Sequence, residues 1–335
     1  MSISVNFIER RDGDSPSIER VFGAVASELR NLDVRSFFTT ARFGNGFIST
    51  ILNLMFFRPE HADVIHITGH INYMGIVLPK ERTVLTIHDL TILDYRTGFR
   101  RTLIEKLYFT WPSRRLRYMT AISQETKQKL LRLTGVADEK IRVIENPLLV
   151  SSSSASRIRE FNAAKPSILQ LGTAPNKNLE RLIRAVAEIP CRLRIIGPLA
   201  PAIRKLLEGL KIDYENGVRL SDSEVEQAYE SADIVTLCST DEGFGLPIIE
   251  AQAKGIVVVT SDRSPIKDVA GAGAFLVDPV SIESIRAGIL TVVNNSELRK
   301  DLVRRGRENV RRFDPSRIAE QYKTLYEEVV ATRIK

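Results

Sequence analysis

The sequence predicts an α/β protein made of two doubly wound, parallel-sheet domains. Three observations point there. Apolar strand-like runs alternate with helical patterns from end to end of a 335-residue chain, a length that accommodates two domains of ordinary size. The alternation breaks once, at 146–166, where NPLLVSSSSASRIREFNAAKP holds the only serine run and reads as an exposed connector. The clearest strand–loop–helix unit, 232–255, keeps its polar residues in the loop after the strand, the place where open α/β sheets bind ligands.

Each element follows from local pattern. In the first half, β-branched and apolar runs predict strands at 2–9, 34–40, 62–68, 83–89 and 119–123. Helices fit between them, for example at 16–32 and 124–133. After the connector, strands are expected at 167–173, 192–197, 233–238, 256–261 and 274–279, and the end reads as purely helical from Ile282 to about Val330. The expected division is a first domain at 1–149, a linker at 150–165, a second domain at 166–315 and a terminal helix at 316–335. No repeat appears at solenoid periods.

Composition narrows the class. With 43% apolar and 27% charged residues, the chain reads as an ordinary soluble globular protein. No apolar run approaches the roughly 18–20 residues that span a bilayer. The opening MSISVNFIERRDGD turns charged too early for a signal peptide, so a cytoplasmic protein is expected. Cys191 and Cys238 lie in or beside predicted strands and are expected to be reduced core thiols. Four scattered histidines offer no zinc spacing with them, and no metal is expected. A net charge of +7 suits an anionic partner: nucleic acid, anionic lipid or nucleotide phosphate. A merely basic surface accounts for it equally well.

The loop DEGFGLPIIEAQAKG, 241–255, holds two carboxylates, Glu242 and Glu250, either side of a tight turn. Gly243 and Gly245 allow a ligand close to the backbone, and Pro247 suits a first helical turn. Amides around Leu246 to Ile248 would then offer partial positive charge to a phosphate or sugar hydroxyl. Glu250, one turn in, can accept two hydrogen bonds from a vicinal diol such as a ribose, and Glu242 can serve another polyol. Complementing the helix dipole would explain Glu250 alone. It leaves two glycines and a proline in this order unexplained.

Glutamate, seven residues, glutamate, in the wording EGFGLPIIEA and followed by an apolar strand, closely resembles the retaining glycosyltransferases of family 4. The likeness extends to LQLGTAPNKNLERLIRA (169–185), TIHDL (86–90), AISQETKQKL (121–130), VIENP (143–147) and the tail RRFDPSRIAEQYKTLYEEV. It implies the GT-B architecture: two Rossmann-like domains facing across a cleft, an acceptor-side N-terminal one and a nucleotide-sugar-binding C-terminal one, with the last helix crossing back. It further implies a catalytic set of His88, Glu242 and Lys177. Glu250 would bind the ribose hydroxyls, Glu242 the donor sugar, and Lys177 the leaving diphosphate. His88 would lie across the cleft near the transferred sugar, with His66 and His70 as weaker candidates. The donor-binding set adds Gly243, Phe244, Gly245, Leu246, Asn176, Arg10 and Gly13. A nucleotide diphosphate sugar is implied as substrate, with no resident cofactor.

Two departures stand out. The family usually has an arginine directly before the lysine, where this chain has Asn176, which supplies no charge. The first loop, RRDGDSPSIE, holds a single glycine where the family often has more. Competing motifs fare worse. Asp12-Gly13-Asp14 imitates a metal-binding Asp-X-Asp but sits in a turn directly after the first strand. GAGAF at 271–275 precedes a strand instead of following one, so it is no dinucleotide fingerprint.

Two further segments bear on the acceptor. The stretch 99–118 mixes Arg100, Arg101, Arg114, Arg115 and Arg117 with Tyr108, Phe109 and Trp111, and suits either an anionic membrane surface or the basic edge of a core helix. The stretch 46–57, GFISTILNLMFF, is too short to span a bilayer and apolar enough to line a groove. The resulting expectation is a metal-independent, retaining hexosyltransferase, mannose preferred, acting on a glycan or lipid-linked acceptor, peripheral at the inner face of the membrane. The rivals are an epimerase or phosphorylase on the same fold and a basic nucleic-acid-binding protein. The last lacks any aromatic-basic platform module, and no nucleic-acid partner is expected.

Overall fold

A computed structural model describes residues 2–11, 17–44, 46–94, 96–149 and 160–334. Two compact units emerge: 1–149 with 313–335, and 150–312. The first unit runs β1 (Ser4–Glu9), α1 (Ser17–Asn31), β2 (Arg35–Thr40), α2 (Phe47–Phe56), β3 (Val64–Ile67), β4 (Thr83–Ile87), α3 (Gly98–Glu105), α4 (Trp111–Arg115), β5 (Tyr118–Ala121), α5 (Gln124–Thr134) and β6 (Ile141–Val143). A π turn, Lys106–Thr110, joins α3 to α4. The second unit runs β7 (Ser167–Leu171), α6 (Leu179–Val186), β8 (Arg192–Ile196), α7 (Pro201–Gly209), β9 (Tyr214–Gly217), α8 (Asp222–Glu230), β10 (Ile234–Leu237), α9 (Leu246–Ala253), β11 (Val257–Ser261), α10 (Ile266–Ala270), β12 (Phe275–Val277), α11 (Ile282–Asn294) and α12 (Ser296–Asn309). The chain then returns to the first unit as α13 (Pro315–Ile334).

Each unit has its own six-stranded sheet, ordered β2-β1-β3-β4-β5-β6 in one and β12-β11-β10-β7-β8-β9 in the other. The strand pairs are parallel, with β1 set between β2 and β3 and β7 between β10 and β8. Parallel sheets of this kind are covered by helices on both faces, so their inner strands are apolar at every position instead of alternating. TVLTI in β4 and VVVTS in β11 are accordingly buried at every residue. In both sheets the order reverses next to the first strand, and the crevice outside the carboxyl ends at such a reversal is where this architecture takes ligands. The reversal therefore marks the loops after β1 and β3 in one unit and after β7 and β10 in the other.

The predicted strands and helices form, with ends shifted by a residue or two. Two strands escape the sequence pattern, β6 and β9, and both lie at sheet edges. They are three and four residues long, and YENG in β9 is nowhere fully buried, so no apolar run announces it. The return to the first unit comes at Phe313, three residues earlier than the expected terminal helix. Leu148 N–H donates to Phe313 O at 2.8 Å, tying the outgoing and returning strands of chain together. Along α13, Ile318, Tyr322, Leu325, Tyr326 and Val329 are buried, a helical stripe that packs on α1. Cys191 and Cys238 are free and buried, and burial pushes their thiols up to about 11 and about 12, which leaves them unreactive. Among the described residues no helix is long and apolar enough to cross a membrane.

Candidate active site

In the second unit the loops after β7 and β10 meet at the reversal point. Gly172 opens the first loop with φ +84°, and a side chain there would bring its Cβ within 3.0 Å of Lys177 Cε. Glycine thus both makes the turn and lets Lys177 lie across it. The loop closes on Asn178, which adopts a left-handed conformation and donates from Nδ2 to Cys238 O (2.9 Å) and Pro279 O (2.6 Å). Asn176 completes the junction: its Nδ2 donates to Asp241 O at 2.9 Å, and its own carbonyl accepts from Thr240 N–H at 2.8 Å. The residue that replaces the family's usual arginine is therefore a latch between the two loops.

This junction delivers Lys177 to Glu242. Lys177 Nζ lies 2.5 Å from Glu242 Oε1, and the same oxygen accepts from Ser239 Oγ at 2.7 Å. Both side chains are largely shielded, with 20% and 11% of their surface exposed. In a pair this shielded, removing one partner leaves the other's charge uncompensated. The sequence pointed to both residues and missed Ser239, which carries no signal beyond its place in a strand end.

Beyond the turn, the resemblance's donor-binding residues divide. Gly245 caps α9 with φ +110°, a backbone state that excludes other residues. Phe244 is 3% exposed, so its side chain belongs to the core and only its backbone faces the loop. The row of amides expected at 246–248 is shorter than anticipated. Pro247 has no N–H, and Ile248 N–H already donates to Gly245 O at 2.9 Å. Leu246 is left as the amide at that helix start.

Glu250 sits one turn into α9 with its Oε2 held by the hydroxyl of Tyr229 at 2.5 Å. Tyr229 is itself buried in α8, and the Lys254 ammonium lies 5.8 Å from its ring centroid while pairing with Glu226. Tyr229 was invisible to sequence reasoning, because a single tyrosine in a polar helix gives no hint of what it orients.

The reversal point of the first unit gathers a second group. After β1, Arg10 Nε donates to Glu19 Oε1 at 3.0 Å. After β3, a Cβ on Gly69 would sit 3.1 Å from Arg10 N, so the two loops touch backbone to backbone. His88, after β4, is buried, and its Nε2–H donates to Thr68 O at 2.8 Å, leaving Nδ1 as the ring's acceptor nitrogen. The His70 ring lies 5.8 Å from it and 4.0 Å from Asp89 Oδ2. Burial, reinforced by His70, lowers the His88 pKa to about 4, so the imidazole is neutral at physiological pH. Gly13, Asp12 and Asp14 lie outside the described residues. His66 has a different role: its Nδ1 meets Tyr326 hydroxyl and its Nε2 meets Thr86 Oγ1, both at 2.7 Å, wholly inside the unit.

The sequence is matched by two family models, Glycosyltransferase Family 4 over residues 3–149 and Glycosyl transferases group 1 over 153–309. The O-antigen chain mannosyltransferase B of Escherichia coli is 27% identical over 261 residues, covering 70% of this chain and 67% of that protein. Among solved structures, the sucrose-phosphate synthase of Thermosynechococcus elongatus superposes with a TM-score of 0.78 at 17% identity, over 98% of this chain and 100% of that one. Anabaena HepE in complex with UDP and glucose gives 0.76 at 16%, over 97% and 100%. Two matched models that together run from residue 3 to 309, and a fold shared along its whole length, place the chain among the family 4, group 1 glycosyltransferases of GT-B fold.

Proposed function

We propose that this glycosyltransferase is a retaining, metal-independent hexosyltransferase that takes its sugar from a nucleotide diphosphate donor. The observation that carries the reading is the Lys177–Glu242 pair at the reversal point of the second sheet. A cation held beside a carboxylate, at the mouth of a parallel sheet, suits a ligand with both phosphate and hydroxyl groups. On donor arrival Lys177 turns to the diphosphate and Glu242, still held by Ser239, accepts from the sugar hydroxyls. Glu250, oriented by Tyr229, takes the ribose diol. The Leu246 amide adds one hydrogen bond at the helix start.

The chemistry asks little more of the protein. The acceptor hydroxyl oxygen attacks the anomeric carbon on the face from which the diphosphate departs. The carbon–oxygen bond to phosphate breaks, and the hydroxyl proton passes to the leaving phosphate oxygen. Positioning and charge stabilisation then supply most of the acceleration, without a protein nucleophile or metal ion. In the first unit, neutral His88 keeps Nδ1 as its acceptor nitrogen, suited to a hydrogen bond from a hydroxyl group. The name of the Escherichia coli relative, O-antigen chain mannosyltransferase B, favours mannose and a glycan or lipid-linked acceptor in surface polysaccharide synthesis. One assay tests the reaction type: transfer in excess chelator, with the product's anomeric configuration read by NMR. Undiminished turnover with retention is expected. Inversion, or activity lost to chelator and restored by magnesium or manganese, contradicts the reading.

A further inference from the structure

The helix α2 turns most of its apolar side chains outward, although Leu54 packs on the core. Of its ten residues, FISTILNLMF, those fully buried are Thr50 and Asn53, both polar. Phe47, Ile48 and Met55 face outward at 62%, 73% and 57% exposure, joined by Ile51 and Phe56. An ordinary surface helix does the reverse, turning its apolar stripe to the core. Nor is the orientation loose. Asn53 Oδ1 accepts from Phe43 N–H, while its Nδ2 donates to Phe43 O, each at 3.0 Å, and to the Tyr73 hydroxyl at 2.9 Å. Thr50 Oγ1 donates to Gly46 O at 3.0 Å. Rolling the helix over would strand the Asn53 amide, whose partners Phe43 and Tyr73 lie outside the helix, so the fold fixes the apolar face outward.

Charge says what covers it. The helix itself carries none, and exposed Arg42 and Arg58 flank its two ends. Arg58 also donates to Met55 O and Phe57 O, which puts a guanidinium at the helix's last carbonyls. Tyr73, held by Asn53, packs its ring on Tyr108 at 5.2 Å, so α2 abuts the run from α3 to α4. There Phe99 and Trp111 are exposed, α3 has no buried residue, and Arg100, Arg101 and Lys106 make no ion pair among the described residues. An uncharged apolar helix with arginines at its ends and a net-cationic neighbouring segment, Arg100, Arg101 and Lys106 against Glu105, fits a bilayer interface whose headgroups are anionic. Apolar side chains sink into the acyl boundary while arginines stay with the phosphates. We infer that the first unit docks on anionic membrane through α2, with the Phe99–Lys106 segment as its electrostatic flank.

This narrows the membrane contact expected over 99–118 to its first part and adds α2. Arg115 is committed to the carbonyls of Gly75 and Leu78, and Arg114 Nη2 donates to Thr134 O at 3.5 Å. The inference does not rest on the donor chemistry and can fail independently of it. The test is co-sedimentation of the full chain with vesicles of phosphatidylglycerol and phosphatidylethanolamine, against phosphatidylcholine alone. Binding to the anionic vesicles is expected, weakened by salt, with a blue shift of Trp111, the single tryptophan. The triple variant Phe47→Ser, Ile48→Ser, Met55→Ser leaves the inward face intact. It should keep the wild-type circular dichroism and nucleotide affinity while losing about tenfold or more in partitioning. Arg100→Ser with Arg101→Ser should weaken the preference for anionic lipid. Three results would overturn the inference: no binding by the wild type, unchanged binding by the triple variant, or a wild-type dimer that the triple variant makes monomeric. In the last case a second copy covers the face.

Discussion

Replacing Lys177 with methionine is expected to lower kcat by about 10²–10³ and to destabilise the folded protein as well. The two effects have separate causes. Activity falls because the leaving diphosphate loses its cation. Stability falls because Glu242, 11% exposed, keeps only Ser239 as a partner for its shielded charge. For a pair this shielded, loss of one partner costs on the order of 1–3 kcal/mol. Adding Glu242→Gln removes the uncompensated charge. The double variant should therefore recover most of the melting temperature and none of the turnover. Thermal melts and single-turnover rates on the same preparations separate the roles. A double variant that regained activity would make the pair purely structural.

The second large effect is acid lability of the first unit. His66 is fully buried between Tyr326 and Thr86, and burial, aided by nearby His88, depresses its pKa from 6.5 to about 3. His88 is depressed in the same direction, to about 4. Below pH 6.5 the unfolded chain binds protons that the folded chain refuses, so stability is full above that pH and falls as acid is added. The slope is about 1.4 kcal/mol per pH unit for each such histidine. The loss by His88 ends near pH 4 and that by His66 near pH 3. Urea unfolding between these limits should show it. His66→Gln keeps a hydrogen-bonding side chain but cannot titrate, and between pH 6.5 and pH 4 should remove its own share of the slope, about 1.4 kcal/mol per pH unit. A variant as acid-sensitive as the wild type would place the lability elsewhere.

How much of this was legible in the sequence depends on what kind of signal each residue left. The inner strands announced themselves because burial on both faces demands unbroken apolar runs, as in Val257–Ser261. The edge strands β6 and β9 meet no such demand and were missed. Glu242 and Glu250 stood out because glycine and proline around them dictate a loop and a helix start at fixed spacing, whereas Lys177 entered only through the family resemblance. Tyr229 and Ser239 act by orientation alone, and orientation depends on neighbours far along the chain. Asn176 was read as a missing charge. Its amide turns out to join two loops separated by 65 positions. For α2 the apolar composition was plain, but only Asn53's partners reveal which way the helix faces.

The central claim is that the second unit binds a nucleotide diphosphate sugar through Lys177, Glu242 and Glu250. Its most direct test is a thermal-shift titration of wild type and Glu250→Ala against a panel of nucleotides and nucleotide sugars. A ligand that binds only the folded state adds about 2.7 kcal/mol at a hundred times its Kd, so the midpoint should climb with concentration. The account predicts that at least one nucleotide diphosphate sugar, GDP-mannose foremost, produces this climb in the wild type. In folded Glu250→Ala the dose response should move to higher concentration by an affinity loss of about 1.5–3 kcal/mol. A panel in which no nucleotide or nucleotide sugar shifts the wild type, or in which Glu250→Ala responds identically, would contradict it.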